Sequence, residues 1–321
     1  MDALPASSGS LNVYINGGTT PAGRALVRQL VAAGHRVTAT AVGSVDGGIL
    51  RADGALPAYP NLTRMGELRS AIAAAKASVV VNLAPTYPYQ VPQRATEWDA
   101  YTSVVSDGTK ALLEAAQAQG VEYVVQASFS FLGGDAHAHG HDDHEPPTAP
   151  FIDAAREAEA AVNAYGIPAT LLRFGFIYSA ESPALHELRN SLLRSRPLVP
   201  GSDHTRANWV HAEDAARAIV LAIAVRPVGE TLYVVDDKPA TPAAFLQNFA
   251  GQLGVGAPGQ MPLLMRGLFA GATQQAMMEQ PSGASNAETK ARLGWTLKYP
   301  TLTQGLEQSL MVWRAQEPIV Q

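Results

Sequence analysis

Leu11-Asn12-Val13-Tyr14-Ile15-Asn16-Gly17-Gly18-Thr19-Thr20-Pro21-Ala22-Gly23-Arg24 is the stretch on which the fold turns. A short apolar run, right for a strand, ends in a glycine-rich corner. A helical period follows from Arg24 to Ala33, with Leu26, Val27, Leu30 and Val31 on one face. Gly34-His35 closes the helix, and Arg36 to Val42 reads as a second strand. A strand–helix–strand unit of this length suits a parallel crossover.

The alternation continues. Ser78 to Ala84 predicts a strand, Tyr101 to Gln119 a helix, Val121 to Ser128 a strand, Phe151 to Tyr165 a helix and Ala169 to Phe174 a strand. Continuous Val/Leu runs without alternation suit strands buried on both faces. Pro183 to Arg196 reads as helix, Trp209 to Asp214 leads into a helix ending at Val225, and Glu230 to Val235 is a further strand. Residues 237–321 are Gly- and Pro-punctuated helices carrying Met261, Met265, Met277 and Met278, a flexible apolar wall or plain core packing.

Bulk composition excludes several classes. Of the 321 residues 47% are hydrophobic and 16% charged, an ordinary globular balance. A formal net charge of −5 offers no basic field for nucleic acid or an anionic membrane. With no cysteine there is no disulfide and no thiolate ligand or nucleophile. No apolar run approaches the roughly 18–20 residues that span a bilayer. Met1 to Ser10 lacks a basic start followed by an apolar stretch, so it reads as a loose tail. A soluble cytoplasmic protein is the expectation.

Several passages, in order, resemble the extended branch of the short-chain dehydrogenase/reductase superfamily, the NAD-dependent epimerase/dehydratase group. They are Gly17 to Gly23, Asn82-Leu83-Ala84, Asp107-Gly108-Thr109, Ser128 after a strand, and Leu172 to Tyr178. Trp209 to Ala218, and Leu293-Gly294-Trp295 with Tyr299 to Leu302 and Gly305-Leu306, complete the set. The resemblance implies an α/β fold: a doubly wound parallel Rossmann-like sheet with a smaller, mostly helical C-terminal substrate domain. Residues 11–175, with 205–236 returning, would form the first domain; 176–204 and 237–321 the second. It also implies a homodimer through helices near 101–118 and 151–165, whose Ala-rich faces permit close helix approach.

The same resemblance assigns candidate residues. Gly17, Thr19, Thr20, Gly23, Arg24, Leu83 and Ala84 would line a site for NAD or NADP, with backbone N–H groups against a pyrophosphate. Thr20 stands where the family has glycine. The second strand runs out in Ala41-Val42-Gly43-Ser44, without the usual ribose-binding acid, leaving Asp46, Arg51 or Arg24 to fold back. Ser128 occupies the place of the catalytic Ser/Thr; the plain reading is a hydroxyl serving a strand end.

The departure is sharpest at the Tyr-x-x-x-Lys pair. In its place stand Phe151 and Ala155, one helical turn apart, and Val105 replaces a common Asn. Phe carries no transferable proton and Ala no charge, so other proton carriers are needed: His144, Tyr87, Asp153 and, beside them, Tyr89. The His-rich loop 137–144 has groups that ligate zinc or nickel, but clustered loop histidines without Cys are mostly solvated, and no metal is favoured. Arg173 and Arg206 suit an anion or a structural ion pair.

Three functions fit this pattern. The first, narrowly preferred, is non-redox acid–base chemistry of the isomerase, lyase or cyclase type on a small lipophilic metabolite. The second is an NAD(P)-dependent reductase or epimerase with a relocated proton donor. The third is a non-catalytic protein that senses NAD(P) or binds another ligand.

Overall fold

The structure, a computed structural model, describes residues 9–84, 95–133, 149–195, 206–256 and 284–316. Strands β1 (Asn12–Asn16), β2 (Arg36–Thr40), β3 (Leu56–Ala58), β4 (Val79–Asn82), β5 (Tyr123–Phe129), β6 (Ala169–Phe174) and β9 (Thr231–Val234) form one sheet. Its order is β3-β2-β1-β4-β5-β6-β9, every pair parallel. Chain order reverses between β1 and β4, so a crevice opens there beyond the carboxyl ends of the strands. A separate parallel pair joins β7 (Phe176–Tyr178) to β8 (Trp209–His211).

Helices cover both faces, as the sequence implies. On one side α1 (Pro21–Ala32) and α7 (Ala212–Val225) bury Leu26, Leu30, Ile219 and Ile223 against Val13, Ile15, Val81 and Val125. On the other, α3 (Met65–Ala75), α4 (Ala95–Ala118) and α5 (Ala149–Ala164) pack Leu68, Ile72, Leu112 and Val162 onto Tyr14, Val80 and Val124. Alternate residues of each strand therefore feed two separate cores.

A third cluster gathers α6 (Pro183–Leu193), α8 (Pro242–Leu253) and α10 (Leu302–Gln316) around Trp209, Phe245, Phe249 and Trp313. The short α9 (Ala287–Leu293) packs beside β9 and sends Leu293 into the first core. Two differences from the sequence reading stand out. Residues 44–75 fold into α2 (Ser44–Ala52), β3 and α3, and α1 begins at Pro21, ahead of Arg24. Proline at the first helical position loses no hydrogen bond, since that N–H has no acceptor in the helix.

Candidate active site

The corner between β1 and α1 is built by two glycines. Gly17 has φ +87°, and a Cβ there would lie 2.9 Å from the Leu83 carbonyl carbon at the end of β4. A Cβ on Gly23 would overlap the Gly17 carbonyl oxygen. Thr20 does not project outward. Its Oγ1 caps α1 by accepting from the Gly23 N–H (3.0 Å) and donates to the Gly17 carbonyl (2.8 Å). Among the described residues the N–H groups of Gly18, Thr19 and Ala22 have no acceptor, and the first turn of α1 holds no acid. Unpaired N–H groups at a helix start, without a neutralising carboxylate, fit a pyrophosphate. Ala84 borders this corner, its N–H donating to Asn82 Oδ1 at 3.2 Å.

Just beyond β2 no acid stands at the end of the strand. Val42 is 91% exposed, and its N–H donates to Asp46 Oδ2 at 3.0 Å. Arg24, expected at the cofactor, is engaged elsewhere. It makes two hydrogen bonds to Asp53, at 2.7 and 3.1 Å, and approaches Glu181 at 3.2 Å. Arg28 shares both acids. Burial opposes the charge on Asp53, but the two guanidiniums outweigh it and hold the pKa below the ordinary value. Arg51 lies exposed near the Tyr59 hydroxyl, at 3.5 Å.

Two polar rows cross the sheet on the α3–α4–α5 side. In the first, Thr40 Oγ1 donates to Asn16, Asn16 to Asn82, and Asn82 to both Gln126 and Thr109, over 3.0–3.1 Å. The second begins two residues further along β5. Ser128, 4% exposed, donates to Glu159 Oε1 at 2.5 Å. Arg173 donates to both Glu159 oxygens, at 2.9 and 2.7 Å, and to the Tyr233 hydroxyl at 2.9 Å. Strand register aligns the set, since Ser128 pairs with Arg173 and Arg173 with Tyr233. The hydrogen bonds to Glu159, chiefly, raise the Arg173 pKa, so the structural ion-pair reading of Arg173 holds.

Phe151 and Ala155 lie on the same stripe of α5 as Glu159 and are buried, at 1% and 2% exposure. Phe151 sits edge-on to Trp98 (centroids 5.8 Å) and 5.2 Å from Phe129, with Val105, Ala154 and Ala158 completing the cluster. An apolar wall therefore stands where the family pattern has its proton donor and ammonium.

The expected catalytic set is not assembled as a group. Asp153 lies on the outer side of α5, 61% exposed and 3.8 Å from Arg156, and the structure does not bring it to Ser128. Two residues along a helix turn a side chain to the far face. Tyr87, Tyr89, His144, the loop 137–144 and Met261, Met265, Met277 and Met278 lie outside the described residues, and Arg206 is exposed. Among the described residues no group of three or more His, Asp or Glu is placed to hold a metal, and no helix is long and apolar enough to cross a membrane. Glu159 and Tyr233 were missed by the sequence reading. The i, i+4, i+8 spacing of positions 151, 155 and 159 was the signal for Glu159.

A second titratable cluster lies below β7 and β8. Burial pushes Asp236 up to about 8, with the charge of Asp214 adding to the effect. Burial likewise lifts Asp214 to about 6, against the N–H groups of Lys298 and Tyr299. His211 falls to about 4, mainly through burial. Its Nδ1 accepts from the Glu213 N–H, which leaves the proton on Nε2, facing Gln308.

Residues 13–235 match the model of the NAD-dependent epimerase/dehydratase family, and the chain belongs to that family of enzymes. A Streptomyces protein named 3-diazoavenalumate denitrifying reductase is 27% identical over 312 residues, covering 92% of this chain and 99% of the relative. The UDP-glucose 4-epimerase of Thermotoga maritima, solved with UDP-glucose, is similar in fold at 18% identity. Its TM-score is 0.74, over 95% of this chain and 99% of that one. The Thermus thermophilus UDP-glucose 4-epimerase, solved with NAD, gives 0.73 at 20% identity over the same shares.

Proposed function

We propose that this enzyme is an NAD(P)-dependent reductase whose substrate takes up a hydride without receiving a proton from the protein. The observation that carries this reading is the contrast between two ends of one crevice. The corner leaves the N–H groups of Gly18, Thr19 and Ala22 without an acceptor among the described residues, which suits a pyrophosphate, while Phe151 and Ala155 are closed into an apolar wall. A bound reduced nicotinamide would supply the hydride.

Carbonyl reduction leaves an alkoxide that needs a proton, and this chain offers none at position 151. Two classes of electrophile avoid that need. An iminium carbon becomes an amine as its C=N electron pair returns to nitrogen. An arenediazonium carbon gains a C–H bond as its C–N bond breaks, and the electron pair leaves with N2. The name of the Streptomyces relative, a denitrifying reductase of a diazo compound, supports the second class. Ser128 and Glu159 would form the polar floor, beside the apolar cluster that holds Phe151.

The acid–base isomerase, lyase or cyclase reading is less well supported. Among the described residues no acid and base face each other near Ser128, since its proton goes to Glu159 and Asp153 faces outward.

Isotope transfer tests the proposal. The full chain is incubated with 4-carboxybenzenediazonium and NADH or NADPH deuterated on one or the other face of the nicotinamide. Deuterium in the arene from one face only, faster than with heat-killed protein, is the expected result. Arene without label from either face of either cofactor overturns the reductase reading.

A further inference from the structure

Resting on the reductase reading, we propose that Ser128 turns oxygen lone pairs, and no proton, toward the substrate, so the site selects a positively charged nitrogen group over a carbonyl oxygen: an iminium N–H that donates to Ser128, or a diazonium that rests against its oxygen. A serine that polarises a carbonyl must donate its proton to it. Here that proton is committed. Glu159 Oε1 lies 2.5 Å from Ser128 Oγ, and Arg173 donates to both oxygens of the same carboxylate, at 2.9 and 2.7 Å. A carboxylate accepts from the hydroxyl and from both guanidinium N–H groups. The hydroxyl hydrogen therefore lies on the Ser128–Glu159 line. What Ser128 turns away from Glu159 is lone pairs.

The arrangement is fixed from three sides. Strand pairing sets Ser128 opposite Arg173. Tyr233 on the next strand accepts from the other arm of the guanidinium at 2.9 Å, which keeps it from swinging toward a substrate. Gly133 has no side chain to displace the Tyr233 hydroxyl. Turning the Ser128 proton outward would break a charge-assisted hydrogen bond, a loss of about tenfold or more in affinity for any ligand requiring it. Ala155 supplies no ammonium to repel a cation, and the charge of Arg173 is balanced by Glu159. Absence of a proton donor at Phe151 and absence of a free proton on Ser128 thus point to the same substrate chemistry.

Calorimetry with two ligands of similar size tests this. Benzamidinium is a cation that only donates, and acetophenone only accepts. Each is titrated into the full chain with and without NAD⁺. The expected result is benzamidinium tighter by roughly tenfold or more. Ser128→Ala should bring the two near parity, and Ser128→Thr should restore the preference. Acetophenone binding as tightly or more tightly, a preference that survives Ser128→Ala, or no binding of either ligand at millimolar concentration overturns the proposal. The isotope experiment separates the two ideas. A benzamidinium preference without label transfer sinks the reductase reading alone, and label transfer without the preference sinks this one alone.

Discussion

Phe151 and Phe129 lie with ring centroids 5.2 Å apart and planes tilted by 56°, one on the first turn of α5 and the other on the last residue of β5. This contact closes the gap between helix and strand in which the family pattern carries its proton donor. The aromatic ring at 151 is thus part of the packing, and its chemistry follows from that.

Phe151→Tyr should not raise turnover of an iminium or diazonium substrate. Its hydroxyl would enter a site 1% exposed, lined by Trp98, Val105 and Ala154. Burying an unpaired hydroxyl costs about 1–3 kcal/mol. A thermal melt beside a rate measurement checks both halves. A variant as stable as the parent and faster would show that the wall opens onto a usable partner.

Gly23→Ala should abolish nucleotide binding and lower the melting temperature. The added Cβ overlaps the Gly17 carbonyl oxygen, so α1 must back away from the corner whose N–H groups the pyrophosphate needs. Nucleotide titration of the folded variant is the check, and unchanged affinity would place the cofactor elsewhere.

Tyr14→Phe should stabilise the protein by about 1 kcal/mol. The Tyr14 hydroxyl has no hydrogen-bond partner among the described residues, is fully buried between β1 and the helices, and burial keeps it protonated at any working pH. Removing it removes an unmade hydrogen bond. Urea unfolding of the two proteins decides the sign.

Asp236 makes stability fall as pH rises. Its carboxyl moves from an ordinary 3.8 to about 8 in the folded chain, so between those values the native state binds more protons than the unfolded one. Below about pH 4 both states are protonated and the effect vanishes; above about pH 8 the full loss is present. Asp236→Asn, neutral throughout, should gain on the parent by about 1–3 kcal/mol between pH 5 and 8, the penalty of a buried polar group poorly served. Melting curves across that range test it, and parallel pH profiles would refute the assignment.

Much of the frame was legible in the sequence. β1, β4, β5 and β6 are short, mostly apolar runs without strict alternation, bounded by turn residues and, at β1, by the glycine corner, so their type and order follow from burial on both faces. Residues 44–75 were not legible for physical reasons. α2 contains Gly47-Gly48, poor helix formers, and β3 is three residues at the sheet edge, with Leu56 70% exposed. The site divides the same way. Phe151 and Ala155 were readable as losses against a family pattern. The Ser128–Glu159–Arg173–Tyr233 network was not, because its members come from three strands and a helix and meet only through register. Arg24 was read as free to reach a phosphate, since nothing local in the sequence announces that Asp53 and Glu181 reach it first.

The row of Thr40, Asn16, Asn82 and Gln126 has a bearing on how the chain finds its fold. Apolar strands such as β4 and β5 pack nearly as well one residue out of step, for Val and Ala are forgiving neighbours. Amides are not. A slip of one residue in any of these pairs would turn an amide onto the wrong face and leave its neighbours without partners, at about 1–3 kcal/mol each. Misaligned sheets would thus be culled while still forming, a proofreading of strand alignment written in buried amides.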